Sequence, residues 1–312
     1  SWEGPRFGPS DTNGITKEIL MNIAIQSLIN GFLAGGVYSL VAVGVTLLYG
    51  VMKMVNFAMG EYLMLGMYMT YTFYVITQLQ NYYLIPLVII AMGLIGFFTF
   101  NLVIRPVLGR SKDSSVYILV TVGLAMLLQS SALMVFGPDY KVVPSLIKGD
   151  SIQLGAYVVS MPRLLAVVFA LIFVIILNLI LNRTLLGKAM KATAENTSVS
   201  QMLGINTKKT FTIAYIIAIV FAGLAGLLVT PIYYINSTAG SIFKVTSLII
   251  VILGGLGSIP GAFIGGFIVG IVEALVASLM NPDLGPAGIF ILLLVILYFK
   301  PYGIFGKGAR IA

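Results

Sequence analysis

Of 312 residues, 59% are hydrophobic and only 9% are charged, and the mean hydropathy is +1.05. A soluble domain usually carries about 25% charged residues. The 18 basic and 10 acidic side chains cannot clothe a chain of this length in water, so lipid must cover much of it. Cysteine and histidine are absent, which excludes disulfides, thiolate metal sites, Cys or His nucleophiles and imidazole bases.

Residues 1–14 form a polar extension, rich in Gly and Pro over its first thirteen (SWEGPRFGPSDTN), which reads as a flexible lead-in. It lacks the basic end, short apolar core and small-residue cleavage site of a signal peptide. The opening Ser1, in place of Met, reads as a processed, trimmed or engineered start. Apolar blocks follow at 19–49, 51–76, 83–104, 115–136, 163–181, 211–235 and 243–280, with a shorter one at 287–299. A crossing takes about 20 apolar residues. The fold class is therefore all-α: a polytopic transmembrane helical bundle over residues 15–300, with about 8–10 spans. As one helix, 19–49 would measure about 46 Å. It is either one tilted span or two segments broken near Gly35-Gly36. The block 243–280 would reach roughly 57 Å against a hydrocarbon core about 30 Å thick. It also contains Gly254-Gly255-Leu256-Gly257-Ser258-Ile259-Pro260-Gly261. Glycine entropy and the missing proline donor break a helix there, which predicts two helices and a tight turn.

Lys and Arg accumulate on the cytoplasmic side of membranes. Arg105, Arg110 and Lys112 follow the third block; Arg183, Lys188, Lys191, Lys208 and Lys209 lie between the fifth and sixth; Lys300, Lys307 and Arg310 belong to the tail, 301–312, and its approach. These hold eleven of the 18 basic residues, whereas 77–81 and 236–241 hold none. The three stretches are expected on the cytoplasmic side. Parity then gives about nine spans with the N-terminus outside, or ten if the first block is split. The net charge of +8 is topogenic. No basic face with interleaved aromatics exists for nucleic acid.

Four ionisable residues sit in or beside apolar blocks: Lys53, Glu61, Lys244 and Glu273. Such groups cost about 2.5–3.5 kcal/mol or more at mid-span, face protein or water, and often mark a pathway. For Glu61 and Glu273 the alternative is a buried carboxylate that merely ties two helices. Lys53 and Lys244 are expected to snorkel to the interface. Small residues recur every fourth position, at Gly31 and Gly35, at Gly257, Gly261 and Gly265, and at Gly266 and Gly270. That spacing serves close helix packing. Met52, Met54, Met59, Met64, Met67 and Met69 crowd one short stretch. Thioethers can carry Cu(I), but with no Cys or His, core filling is the default and a soft apolar path wall the alternative.

The connection 182–210 is too long for an idle hairpin. It is Ala-rich with interspersed charges, which predicts a short cytoplasmic helix. Ala189, Ala192 and Met202-Leu203 form an apolar face that either docks into a partner groove or lies on headgroups, drawn by five basic residues against one acidic. No phosphate loop, H-E-x-x-H or G-x-S-x-G occurs. No catalytic residue, metal site or cofactor is expected in this chain.

Four stretches carry a family likeness. The first runs from Gly31-Phe32-Leu33-Ala34-Gly35-Gly36-Val37-Tyr38-Ser39-Leu40 to Asn56-Phe57-Ala58-Met59-Gly60-Glu61. The others are the loop 187–206, the run Leu253 to Ala262, and Lys300-Pro301-Tyr302-Gly303-Ile304-Phe305-Gly306. In this order they resemble the permease subunits of branched-chain amino acid ABC importers. Met59 stands where that family often has His, which fits a more apolar path, and the N-terminal extension departs from the family pattern. The resemblance implies a multi-pass permease in the plasma (inner) membrane of a prokaryote. It would work with a second, homologous or identical permease subunit, two ABC ATPase subunits that bind ATP-Mg, and an extracytoplasmic solute-binding protein. It implies a coupling segment at Gly187, Ala189, Ala192, Glu195, Gly204 and Ile205. Candidates for the substrate path are Asn30, Tyr38, Asn56, Glu61 and Glu273. Rival readings are urea or amide cargo in the same class, an ion-driven secondary transporter, and a structural membrane protein without need of buried carboxylates.

Overall fold

The computed structural model describes residues 9–79, 81–108, 114–144, 151–154 and 157–306. Arg110, Lys112, Lys307, Arg310 and the first eight residues of the polar extension lie outside the described residues. The helices are α1 (Pro9–Met52), α2 (Met59–Thr77), α3 (Ile85–Thr99), α4 (Arg105–Leu108), α5 (Ser114–Phe136), α6 (Met161–Arg183), α7 (Leu185–Glu195), α8 (Thr197–Met202), α9 (Thr207–Val229), α10 (Ala239–Gly254), α11 (Ile259–Leu279) and α12 (Gly285–Phe299). A π-helical turn, Phe100–Ile104, joins α3 to α4. The strands β1 (Ser151–Leu154) and β2 (Tyr157–Ser160) add a small antiparallel hairpin to the otherwise helical fold, pairing Ser151 with Ser160 and Leu154 with Tyr157.

Seven stretches among the described residues are long and apolar enough to cross a membrane: Met21–Met52, Asn81–Leu108, Ser115–Phe136, Met161–Arg183, Thr207–Val229, Ile259–Leu279 and Pro282–Phe299. The chain is a multi-pass membrane protein. Two further helices, α2 and the 16-residue α10, pack among them. The first block is unbroken, so a split near Gly35-Gly36 does not occur. Those glycines serve packing instead. The block 51–76 is not one helix. Lys53, in the left-handed region at φ 55°, ends α1, and 53–58 runs without helix before α2 begins. Similarly, α9 stops at Val229, short of the predicted end at 235.

Burial separates centre from rim. Of the most apolar window of each span, 89% is buried in α1 and 72% in α9, against 17% in the span containing α12. The rim helices present Leu119, Met134, Val135, Ile291 and Leu294 outward. An apolar surface this extensive suits lipid and not water.

Small residues hold the centre together, because without a hydrophobic drive between helices in lipid, close backbone approach supplies the packing. On α1, Gly31 faces Gly270 and Ile271, and Gly35 faces Gly266 and Phe267, so α1 and α11 run antiparallel. A Cβ on Gly35 would lie 2.7 Å from Phe267 Cα. Ser39 Oγ closes the seam by donating to Gly35 O (2.7 Å) and, across the interface, to Phe263 O (2.8 Å). Gly66 meets Gly223 where α2 crosses α9.

The glycine-rich break predicted within 243–280 is the α10–α11 turn. Gly255 (φ 98°) and Gly257 (φ 86°) occupy backbone conformations that favour glycine. Ser258 Oγ then caps α11 by accepting from Gly261 N at 3.2 Å. The tail folds back on this turn. Ile304 N donates to Leu253 O (2.8 Å) and Phe305 N to Gly254 O (3.2 Å), satisfying carbonyls that the end of α10 leaves free.

Candidate functional site

Two helix starts meet inside the bundle. Gly60 and Gly240 are each the second residue of their helix, α2 and α10, and a Cβ on either would strike the other's backbone. Lys244 lies ten residues before the end of α10, roughly 15 Å along its axis and so about half the thickness of a hydrocarbon core. From there Lys244 Nζ donates to Glu61 Oε1 at 2.6 Å, so its ammonium is engaged by a carboxylate of the neighbouring helix. Glu61 has a side chain only 4% exposed, whereas that of Lys244 is 27% exposed. Glu61 Oε2 is buried with no hydrogen-bond partner. An unmatched buried acceptor of this kind costs about 1–3 kcal/mol. The starts of α2 and α10 lie beside the carboxylate.

Asn56 organises the approach to α2. Its Oδ1 accepts from Ala58 N at 2.9 Å, turning the non-helical 53–58 segment into the helix, while its Nδ2 donates to Tyr215 Oη at 3.3 Å. Tyr215 and Tyr62 share a hydroxyl hydrogen bond of 2.9 Å. The Phe100 ring, on the π-turn, lies 5.3 Å from that of Tyr215. Asn56 and Glu61 thus flank the same helix start.

A second group lies where α1 meets α10. Tyr38 interacts with Glu273 and Tyr233, and the Phe243 ring is 6.0 Å from Tyr38 and 5.6 Å from Tyr233. Leu33, Val37, Tyr38, Arg163, Tyr233 and Phe243 border a cavity of about 10 Å³, room for about one water molecule. Asn30 stands apart, half-buried two turns earlier on α1, where its Oδ1 accepts from Gln26 Nε2 at 3.5 Å. The structure therefore gathers Asn56 with Glu61, and Tyr38 with Glu273, and leaves Asn30 outside both groups. Lys244, Tyr215, Tyr62 and Tyr233 are the partners that sequence reasoning missed. Only Lys244 gave a signal, as a charge inside an apolar block.

At the basic-rich end the loop 182–210 forms two helices. Thr184 Oγ1 accepts from Gly187 N to cap α7, and Asn196 Oδ1 accepts from Val199 N to cap α8. Gly187 is buried against the backbone of Ile180 and Leu181, and Met190 and Thr193 face the bundle, so α7 is clamped to the end of α6. Ala189 and Ala192 are half-buried and Glu195 is exposed. Gly204 (φ 82°) makes the turn after α8, and Ile205 N donates to Ser200 O at 3.0 Å. Within this unit the most exposed apolar side chains are Leu185, Met202 and Leu203 at 84%, 86% and 74%. A groove of about 630 Å³, bordered by Gly50, Lys53, Leu181, Met190, Lys191 and Gly257, runs between this unit and the ends of α1 and α6.

Comparison with known proteins places this architecture. Residues 27–297 match the model of the family described as branched-chain amino acid transport system / permease component. The chain is 29% identical over 296 residues to the high-affinity branched-chain amino acid transport system permease protein BraD of Pseudomonas aeruginosa, covering 91% of this chain and 96% of the relative. It is 30% identical over 299 residues to LivH of Escherichia coli, of the same description, with the same coverage. It is 28% identical over 313 residues to a probable LivH of Methanocaldococcus jannaschii, covering 94% and 96%. No solved structure matches. The family match takes in the central helices, the paired charges of α2 and α10 and the clamped α7–α8 unit alike, and the chain belongs to the branched-chain amino acid transport system permease component family.

Proposed function

We propose that this chain is the membrane-spanning permease subunit of an ATP-driven importer for branched-chain or other hydrophobic amino acids, in the inner membrane of a prokaryote. A second permease subunit, identical or homologous, completes the path. Two ATPase subunits carrying ATP-Mg dock at the α7–α8 end, and an extracytoplasmic binding protein delivers the cargo. Asn56 and Glu61, and separately Tyr38 and Glu273, supply polar groups to a path whose walls are apolar.

The observation that carries this reading is the build of the α7–α8 unit. One side is locked to α6 through Gly187, with Met190 and Thr193 buried, while Leu185, Met202 and Leu203 stand exposed. A rigid unit with an exposed apolar end transmits a displacement from whatever grips it. Exposed Leu and Met side chains suit a groove on a partner subunit. The test is a pull-down from mild detergent, with leucine uptake measured in the same cells. Copurification of an ATPase with the unmodified chain is expected. Replacement of Leu203 by Asp should release that ATPase and reduce uptake about tenfold, since burying one charge in an apolar groove costs several kcal/mol. Uptake by the purified chain alone, or undiminished uptake after L203D, refutes the reading.

A further inference from the structure

We infer that Glu61 and Lys244 together read the two charges of an amino acid zwitterion as it crosses, Glu61 holding the ammonium and Lys244 the carboxylate. This rests on the permease reading above and assigns the polar half of its substrate recognition. Three independent features lead to it. First, Glu61 Oε2 is buried and unmatched although Oε1 is bonded to Lys244. A finished structural ion pair satisfies both oxygens, since the interior gives an idle acceptor nothing back. An arriving ammonium supplies the missing donor. Second, Lys244 has further N–H donors and is open on one side. It belongs to a stripe of α10, with Ser241, Val245, Leu248 and Ile252, that is exposed or half-exposed in the single chain. A carboxylate approaching along this stripe meets Lys244, the more exposed partner of the pair. Third, the flanking side chains of the stripe, Val245 and Leu248, are aliphatic. They offer an apolar surface for the aliphatic side chain of the same molecule.

The chemistry selects the class of cargo. A zwitterion adds its ammonium at Glu61 Oε2 and its carboxylate at the remaining Lys244 donors, keeping the Lys244–Glu61 bond and leaving no net charge in the membrane. An uncharged amide or urea offers only a neutral N–H and a neutral carbonyl to the same partners, and so forgoes the charge assistance that makes such bonds roughly twice as strong. A helix-tying role for the pair needs neither an open lysine nor an idle carboxylate oxygen.

The experiment uses the complete importer in cells lacking other leucine uptake. Initial rates of labelled leucine entry are read alongside the membrane level of the chain, its copurifying subunits, and ATP hydrolysis stimulated by loaded binding protein. Two variants are compared, the neutral pair E61Q/K244M and the exchanged pair E61K/K244E. The neutral pair should keep normal membrane level and copurifying subunits while leucine entry falls about tenfold or more, the loss expected when charge-assisted bonds disappear. The exchanged pair retains opposite charges but presents them to the zwitterion in reverse, and leucine entry should remain about as low. Leucine entry near the unmodified rate in either variant overturns the inference. Failure of the neutral variant to assemble shows that the pair holds α2 to α10 and overturns it as well. If the unmodified importer takes up no leucine, the underlying permease reading falls instead.

Discussion

The interface of α1 with α11 and that of α2 with α10 begin alike and end differently. Both rely on facing glycines, Gly31 and Gly35 against Gly270 and Gly266 in one case and Gly60 against Gly240 in the other. The first continues for several turns through small residues and finishes in a hydroxyl bridge from Ser39 to Phe263 O. The second consists of one close approach at two helix starts, followed at once by the Glu61–Lys244 pair. The difference teaches what glycine contact alone provides. Repeated along two long helices it makes a fixed scaffold. Used once, between the ends of interrupted helices, it makes a junction whose remaining contacts are polar and exchangeable.

The comparison is broken most severely from the scaffold side. Gly35→Leu puts a branched side chain where even a Cβ would lie 2.7 Å from Phe267 Cα. Overpacking of this kind costs about 1–3 kcal/mol when neighbours can shift, and here the neighbour is backbone. Loss of the monodisperse peak on size exclusion in mild detergent is expected; an intact peak would show that α1 and α11 part easily. A smaller effect is expected at the junction. Gly60→Ala places a methyl 2.7 Å from Lys244 Cβ and against the Gly240 backbone. The chain should still reach the membrane, while leucine uptake falls by more than membrane level. A parallel fall in both would make the junction part of the scaffold. The smallest effect belongs to Ser39→Ala, which removes one interhelical hydrogen bond worth about 0.6 kcal/mol in a membrane. The thermal midpoint should drop by about 1–2 °C with uptake unchanged, and a larger drop would give the hydroxyl bridge more weight than the glycine seam.

Much of the fold was legible because lipid imposes a simple rule. Backbone polar groups must be satisfied within the span, so long apolar runs become helices. That rule located the rim helices and the α10–α11 turn, where Gly255, Gly257 and Pro260 speak locally. It failed at 53–58, where apolar composition continues through Met54 and Val55 but the chain is not helical. Composition measures preference for lipid, while the break depends on Asn56 finding both Ala58 N and Tyr215, the latter 159 positions away. For the same reason the sequence could not show that Lys244 pairs with Glu61, 183 positions away.

The sequence by itself determined that this chain spans a membrane many times, which small residues would pack its helices, and which family it belongs to. Hydropathy and motif spacing are local properties and need no partner to be read. Only the tertiary structure decided that Glu61 meets Lys244 across 183 positions, that Tyr38 shares a group with Glu273 while Asn30 does not, and that α7 is clamped at Gly187 with Leu203 left bare. An ion pair, a cavity or an exposed tip is a relation between distant segments. Its energy comes from the water or lipid that the folded neighbours exclude, and no single stretch of residues carries that information.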